Sequence, residues 1–294
     1  MRDLQDRPAA EYEIERAKVA TEGWGARLLA EQQIDGRWAG GYYTPKWTST
    51  FYTMQLLWHL GVPPGNPKAA RAVEVLLEGG SATDGGIRLA GRHPYRARLG
   101  EVCESGMGLA MSAWFLPEEP RLPALRDNLL SEQFADGGWN CQRSAGHSSF
   151  NTTVLVLEGL LEWERQRGPD PNVTAARLRG HEFMLAHRMF RSHRSGEVIS
   201  PQYLMLSFPG RWHYDILRGL DYLAMAGAEQ DERASEAIAV LQKKQRRDGA
   251  WPLQHRHGGK TYFEMEEAAQ PSRWNTLRAL RVLRWWEGSI PPHC

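Results

Sequence analysis

Apolar residues recur along this chain with a helical period, and the alternation expected of half-buried strands is nearly absent. The pattern falls into pairs. An amphipathic, polar-faced stretch comes first, at about 10–33, 66–79, 120–134, 172–189 and 231–246. A more apolar stretch follows each, at about 48–60, 103–115, 150–165, 213–227 and 273–287. The second stretches open alike, with Thr50, Asn151, Thr152, Asn275 and Thr276 near their starts, where helix caps are expected. Pro63-Pro64, Pro117 and Pro169 fall in the return connections, where a helix must stop.

Between the members of a pair sits a recurring element. It reads Gln33-Ile34-Asp35-Gly36-Arg37-Trp38, then Gln133-Phe134-Ala135-Asp136-Gly137-Gly138-Trp139, then Gln245-Arg246-Arg247-Asp248-Gly249-Ala250-Trp251. Asp-Gly supplies a turn and a positive-φ position after a helix. The Trp and Gln side chains are suited to fastening neighbouring segments by hydrogen bonds. Degenerate copies at Asp84-Gly85 and Ser195-Gly196 complete the period, giving five units of about 50–60 residues. These span about 10–60, 66–115, 120–165, 172–227 and 231–287, within one domain over 1–294.

Polar-faced and apolar helices alternating in equal units bury themselves as two concentric rings. The expectation is an all-α fold, a single α/α barrel or toroid, with the apolar helices inside. Every Asp-Gly turn joins an outer helix to an inner one, so all lie on one rim. The long loops after them gather there too, which makes that rim the expected mouth of a site.

Composition narrows the function classes. Lys+Arg 36 against Asp+Glu 35 leaves a formal charge of +1, which offers nucleic acid nothing. The charged N-terminus lacks a secretory h-region, and no apolar run spans a membrane. Cys103, Cys141 and Cys294 are scattered and odd in number, as in a reducing cytoplasm. Peripheral contact with a membrane stays open. No phosphate loop, dinucleotide fingerprint or Gly-x-Ser-x-Gly elbow occurs.

The Gln…Gly-x-Trp element, carried by Trp38, Trp139 and Trp251, resembles the repeat of squalene–hopene and oxidosqualene cyclases, and related turns occur in protein prenyltransferase β subunits. The resemblance implies a terpenoid cyclase-like toroid over most of the chain, acting on an isoprenoid or amphiphilic substrate by acid/base or carbocation chemistry. It also sets contrasts. No Asp-x-Asp-Asp run is present, and the positions matching the prenyltransferase zinc ligands are His213, Asp215 and Asn275, without a thiolate. Whether a metal is held is left undetermined.

Inner-helix spacing selects candidate residues. Asp215, His213 and Glu104 are the catalytic candidates, as carboxylates and an imidazole expected near one mouth. Tyr52, Cys103, Asn151, Trp212, Tyr214, Arg218, Arg273, Trp274 and Asn275 are the substrate-binding candidates. The lumen stripes run Tyr52–Gln55–His59, Cys103–Glu104–Met107, Asn151–Leu155–Glu158–Glu162, Asp215–Arg218–Tyr222 and Asn275–Arg278–Trp285. Asp215–Arg218 can equally be a structural ion pair. His255-x-His257 and Cys141…His147 have loose metal-ligand spacing. So polar a lumen keeps two alternatives open. One is an α/α-barrel enzyme on a polar substrate, whether glycosidase, lyase, epimerase or metal-dependent peptide cyclase. The other is a non-catalytic binding module.

Overall fold

The computed structural model describes residues 2–89 and 99–288; Cys294 lies outside them. The helices are α1 (Arg2–Gln5), α2 (Ala9–Lys18), α3 (Gly23–Ala30), α4 (Thr50–His59), α5 (Pro67–Gly80), α6 (Val102–Phe115), α7 (Leu122–Ser131), α8 (Phe150–Arg167), α9 (Pro171–Ala186), α10 (Ile216–Met225), α11 (Ser235–Lys243) and α12 (Arg273–Trp286). A two-residue hairpin pairs β1 (Trp251–Pro252) with β2 (Pro271–Ser272). Helices α4, α6, α8, α10 and α12 form the inner ring, each packed on the next in that order. Helices α5, α7, α9 and α11 stand outside, with α3 against α4. This is the α/α barrel that the periodicity predicts.

Burial follows the predicted division. Nearly all of α6 is buried, whereas α2 buries no residue. The crossing of α6 and α8 depends on two glycines. A Cβ on Gly159 would meet the Gly106 carbonyl oxygen at 2.4 Å, and one on Gly106 would meet the Val156 amide at 2.8 Å. The first outer stretch, expected unbroken over about 10–33, divides into α2 and α3, with Gly23, at φ +64°, opening α3.

The repeated element is a fastening with three bonds. The Trp indole N–H donates to its own outer helix, at the Leu28, Leu129 and Leu241 carbonyls, always at 2.7 Å. The Trp backbone N–H donates to a threonine of the following inner helix, Thr50 at 3.0 Å, Thr153 at 2.9 Å and Thr276 at 2.9 Å. The Gln amide closes the Asp-Gly turn and, in two copies, reaches the next outer helix. Gln133 bonds Gly137 O and Ala176 O, and Gln32 bonds Gly36 O and Lys68 O. The glutamine of the first copy is therefore Gln32, four residues before its glycine, and not Gln33, whose side chain accepts from Gly40 N. Thr50 serves Trp38, while the side-chain caps of the inner helices come from Asp215 and Ser272. In the degenerate second unit Ile87 takes the Trp position, its N–H bonding Ser105 Oγ at 2.8 Å.

The ring is closed between the last unit and the first. Trp24 of α3 lies 6.5 Å from Trp274 of α12, and Arg273 stacks over Trp24 at 4.7 Å. The loop after β1 reaches back to Trp47, whose N–H donates to Lys260 O at 2.7 Å. Among the described residues no helix is long and apolar enough to cross a membrane.

Candidate functional site

The inner ring encloses a cavity of about 260 Å³. Three helices each give it a stripe at i, i+3, i+4 and i+7, the spacing of one helix face. From α8 come Glu158, Leu161, Glu162 and Arg165; from α10, Arg218, Asp221, Tyr222 and Met225; from α12, Trp274, Leu277, Arg278 and Arg281. Trp58 and His59 of α4, Trp114 of α6 and Arg16 of α2 complete the wall, and Phe208 and Gly210 close its floor on the turn side. Most of these positions lie toward the carboxyl ends of their helices. The cavity thus faces the rim opposite the Asp-Gly turns, where Trp58, Trp114 and Met225 are half-buried and Arg165 is exposed. The long loops mark the other rim, so the expected mouth is corrected. The loops there fold inward onto helix starts and leave the lumen to open at the far end.

The lumen's charges come largely in pairs. Arg218, 4% exposed, forms a bidentate pair with Glu158 at 2.8 and 2.6 Å. Its remaining Nη1 donates to the Arg211 and His213 carbonyls. Asp221 accepts from Arg278 at 3.2 Å and from Arg281 at 2.7 and 3.0 Å, and Arg281 also pairs with Asp3 of α1. Burial of these ions is tolerable because each is paired and hydrogen-bonded. His59 stands among guanidiniums. Burial first, then Arg218, Arg278 and Arg211, hold its pKa well below the ordinary 6.5, so the imidazole is neutral.

Three separate places receive the candidates read from the sequence. Arg218 and Trp274 line the lumen. Asn151, Trp212, His213 and Tyr214 lie at a second gap of about 190 Å³ on the turn rim, with His255 and His257. There His213 stacks on Trp212 at 3.7 Å and on His257 at 3.8 Å. Burial, with Arg218, His255 and Lys46 nearby, pushes the His213 pKa down to about 4. Asn151 accepts from Tyr214 N at 2.7 Å, and the Tyr214 hydroxyl donates to Met189 O at 2.7 Å.

The third place holds Tyr52, Cys103 and Glu104. Tyr52, fully buried, bonds the Tyr43 hydroxyl at 2.8 Å. Cys103 N donates to Cys141 Sγ at 3.2 Å. The thiol of Cys103 donates to the same sulfur, which lowers the Cys141 pKa and raises that of Cys103. Glu104 accepts from Leu89 N at 2.5 Å.

Asp215 is engaged in structure. It is the N-cap of α10, accepting from Arg218 N at 2.9 Å and from Ser207 N and Oγ at 3.0 and 2.7 Å. Its partner is thus the Arg218 amide; the Arg218 guanidinium belongs to Glu158. Asn275 donates to Pro252 O at 3.0 Å, which ties α12 to β1, and Arg273 is exposed. Among the described residues no three of His, Cys, Asp and Glu are grouped as a metal site.

Helical spacing identified His59, Glu158, Glu162, Tyr222 and Arg278 as lumen residues. Trp58, Trp114 and Arg16 escaped it, because each sits at a helix end whose exposure depends on the neighbouring helix. On α12 the expected stripe began at Asn275, while the lining stripe begins at Trp274.

No family model and no curated protein matches the chain. Solved structures resemble it at low identity. A protein from Actinoplanes is 18% identical with a TM-score of 0.49, covering 92% of this chain and 88% of that one. The type II terpene cyclase MstE from Scytonema is 14% identical with a TM-score of 0.33, covering 94% and 99%. At these values neither activity nor ligand transfers to this chain.

Proposed function

We propose that the lumen binds an amphiphilic, isoprenoid-class molecule and carries out acid–base chemistry on it. The observation behind this reading is the convergence of the α8, α10 and α12 stripes, which set Trp274, Leu161, Leu277 and Met225 beside a belt of guanidiniums in one cavity. The apolar chain would lie against these side chains and Trp58 and Trp114, and a polar or anionic head would meet Arg165, Arg278 and Arg281. At about 260 Å³ the cavity falls just under the usual ligand-pocket range of roughly 300–1,000 Å³. That favours one short prenyl chain over a large polycycle.

His59 is the proposed base. Heterolysis of an allylic C–O bond, with the electron pair leaving on a diphosphate head held by Arg278 and Arg281, would create a cationic centre, and a proton on the carbon beside it is acidic enough for a weakly basic neutral imidazole to take. The C–H electron pair becomes the new alkene bond and the proton goes to the ring nitrogen. In this reading Asp215, Glu104 and Asn275 position the helix starts that form the floor, and His213 lies outside the lumen.

Tryptophan fluorescence tests this directly. Dimethylallyl or geranyl diphosphate should quench the emission saturably, and inorganic diphosphate should not. Leu277→Trp, which fills the cavity, should abolish the quench. His59→Asn should retain it but form no product detectable by mass spectrometry. An unchanged quench in Leu277→Trp, or none with either prenyl compound, would overturn the reading. The density of charge in the lining favours a second reading, a small polar substrate such as a sugar. Saturable binding of a sugar with none of a prenyl compound would select it.

A further inference from the structure

The seam that closes the ring contains a buried cation that meets no anion among the described residues. Three stretches meet there. The Trp47 indole N–H donates to the His257 and Gly258 carbonyls at 3.0 and 2.9 Å. The Tyr262 hydroxyl donates to Thr48 O at 3.1 Å, and the Gln55 amide donates to Arg211 O at 2.8 Å. Between them lies a gap of about 50 Å³, lined by Trp47, Thr53, Phe208, Arg211, His257 and Tyr262 among others.

Arg211 is 4% exposed, as buried as Arg218, yet it has no counterpart of Glu158. Its Nη1 has no hydrogen-bond partner, and it enters no ion pair among the described residues. Its guanidinium lies 5.3 Å from the Trp47 ring centroid. Burial lowers its pKa to about 10, which still leaves a full positive charge at neutral pH. The Nε2 of His257, on the same gap, is likewise buried and unpartnered. The two carboxylates at the edge are engaged elsewhere. Glu264 pairs with Arg256, and Glu266 accepts from Ser272 Oγ at 2.5 Å and Arg273 N at 2.8 Å.

An unpaired buried charge is costly, and a buried donor without an acceptor adds to the cost. Arg211 is also held at φ +55°, in the left-handed region that non-glycine residues seldom occupy. We propose that this gap is a binding site for a monovalent anion of chloride's size, held between Arg211 Nη1 and His257 Nε2–H, which ties the last unit of the ring to the first. The volume of about 50 Å³, against roughly 10–15 Å³ needed to hold one water, admits an anion of chloride's size. Phe208, which lines both spaces, stands between this gap and the lumen.

Thermal unfolding at constant ionic strength, with chloride replacing gluconate, is the test. The melting temperature of the wild type should rise with chloride, as for any ligand that binds only the folded state. Arg211→Met should show no such rise, and without chloride it should melt no lower than the wild type, having lost the unpaired charge. Wild-type crystals soaked in bromide should give an anomalous peak beside Arg211 Nη1. A map without that peak overturns the proposal, as does an equal chloride response in both proteins. If Arg211→Met does not fold, the bromide map decides alone.

Discussion

At the turn rim three aspartates are consumed by backbone amides. Asp215 caps α10, Asp136 holds Ser148 N at 2.8 Å, and Asp84 holds Gly86 N and Gly100 N. Toward the other end of the same inner helices the acids meet guanidiniums across a cavity, as Glu158 does Arg218 and Asp221 does Arg278 and Arg281. A repeat places both kinds of residue at equal intervals, so spacing alone does not separate them. What separates them is whether unpaired backbone donors are within reach. Helix starts supply orphan N–H groups and absorb carboxylates. Inner-helix middles have none, so their carboxylates are free for other partners.

The largest effect that would test this contrast is Glu158→Ala. It leaves Arg218 buried without its anion, and losing one partner of such a pair costs about 3–5 kcal/mol. Urea unfolding should show it, together with loss of prenyl-compound quenching. A change under about 1 kcal/mol would mean that the pair is hydrated and the lumen far wetter than described.

Next comes acid. His181 of the outer helix α9 is 8% exposed, and its Nε2 lies 2.9 Å from the hydroxyl of the lumen residue Tyr222. Burial, then Arg177, lowers its pKa to about 3. A folded-state value below the unfolded one means that the unfolded chain binds the extra proton. Stability is then intact above about pH 6.5 and falls as pH drops toward 3. At pH 5 the loss from this residue is about 2 kcal/mol, and His181→Phe should remove that part of the acid dependence. His213 and His257 shift the same way but are half-buried, so His213→Phe should flatten the curve less. An acid limb unchanged in His181→Phe would show that His181 is already hydrated.

Asp215→Ala should have the smallest effect on the lumen. Losing an N-cap costs about 1 kcal/mol, and the buried Ser207 donors left without their acceptor add to that, yet prenyl-compound affinity should move little. A large loss of binding at near-normal stability would return Asp215 to the substrate.

Much of the architecture was legible in the chain itself. Helical periodicity, Asp-Gly turns and Trp landing two residues after each glycine are local signals. Their meaning does not depend on what lies across the molecule, because the Trp fastening is made within one unit by Leu28–Trp38–Thr50 and its copies. The first glutamine was misplaced by one position for a similarly local reason, since Gln32 and Gln33 are adjacent and only one of them faces Lys68.

The site was legible only as stripes. Sequence determined that Glu158, Glu162, Arg218, Tyr222 and Arg278 share lumen-facing surfaces, because a helix presents one face at fixed spacing. It could not determine which guanidinium meets which carboxylate, nor that Arg211 meets none among the described residues. Those pairings join residues about 60 positions apart, as in Arg218–Glu158, and the length and tilt of the helices between them decide the match. Tertiary structure also chose the open end of the barrel. Loop length marked the turn rim, but a loop can cover a lumen as well as line it. Phe208 and Gly210, folded under α10 and α12, closed that end and left the cavity to the other.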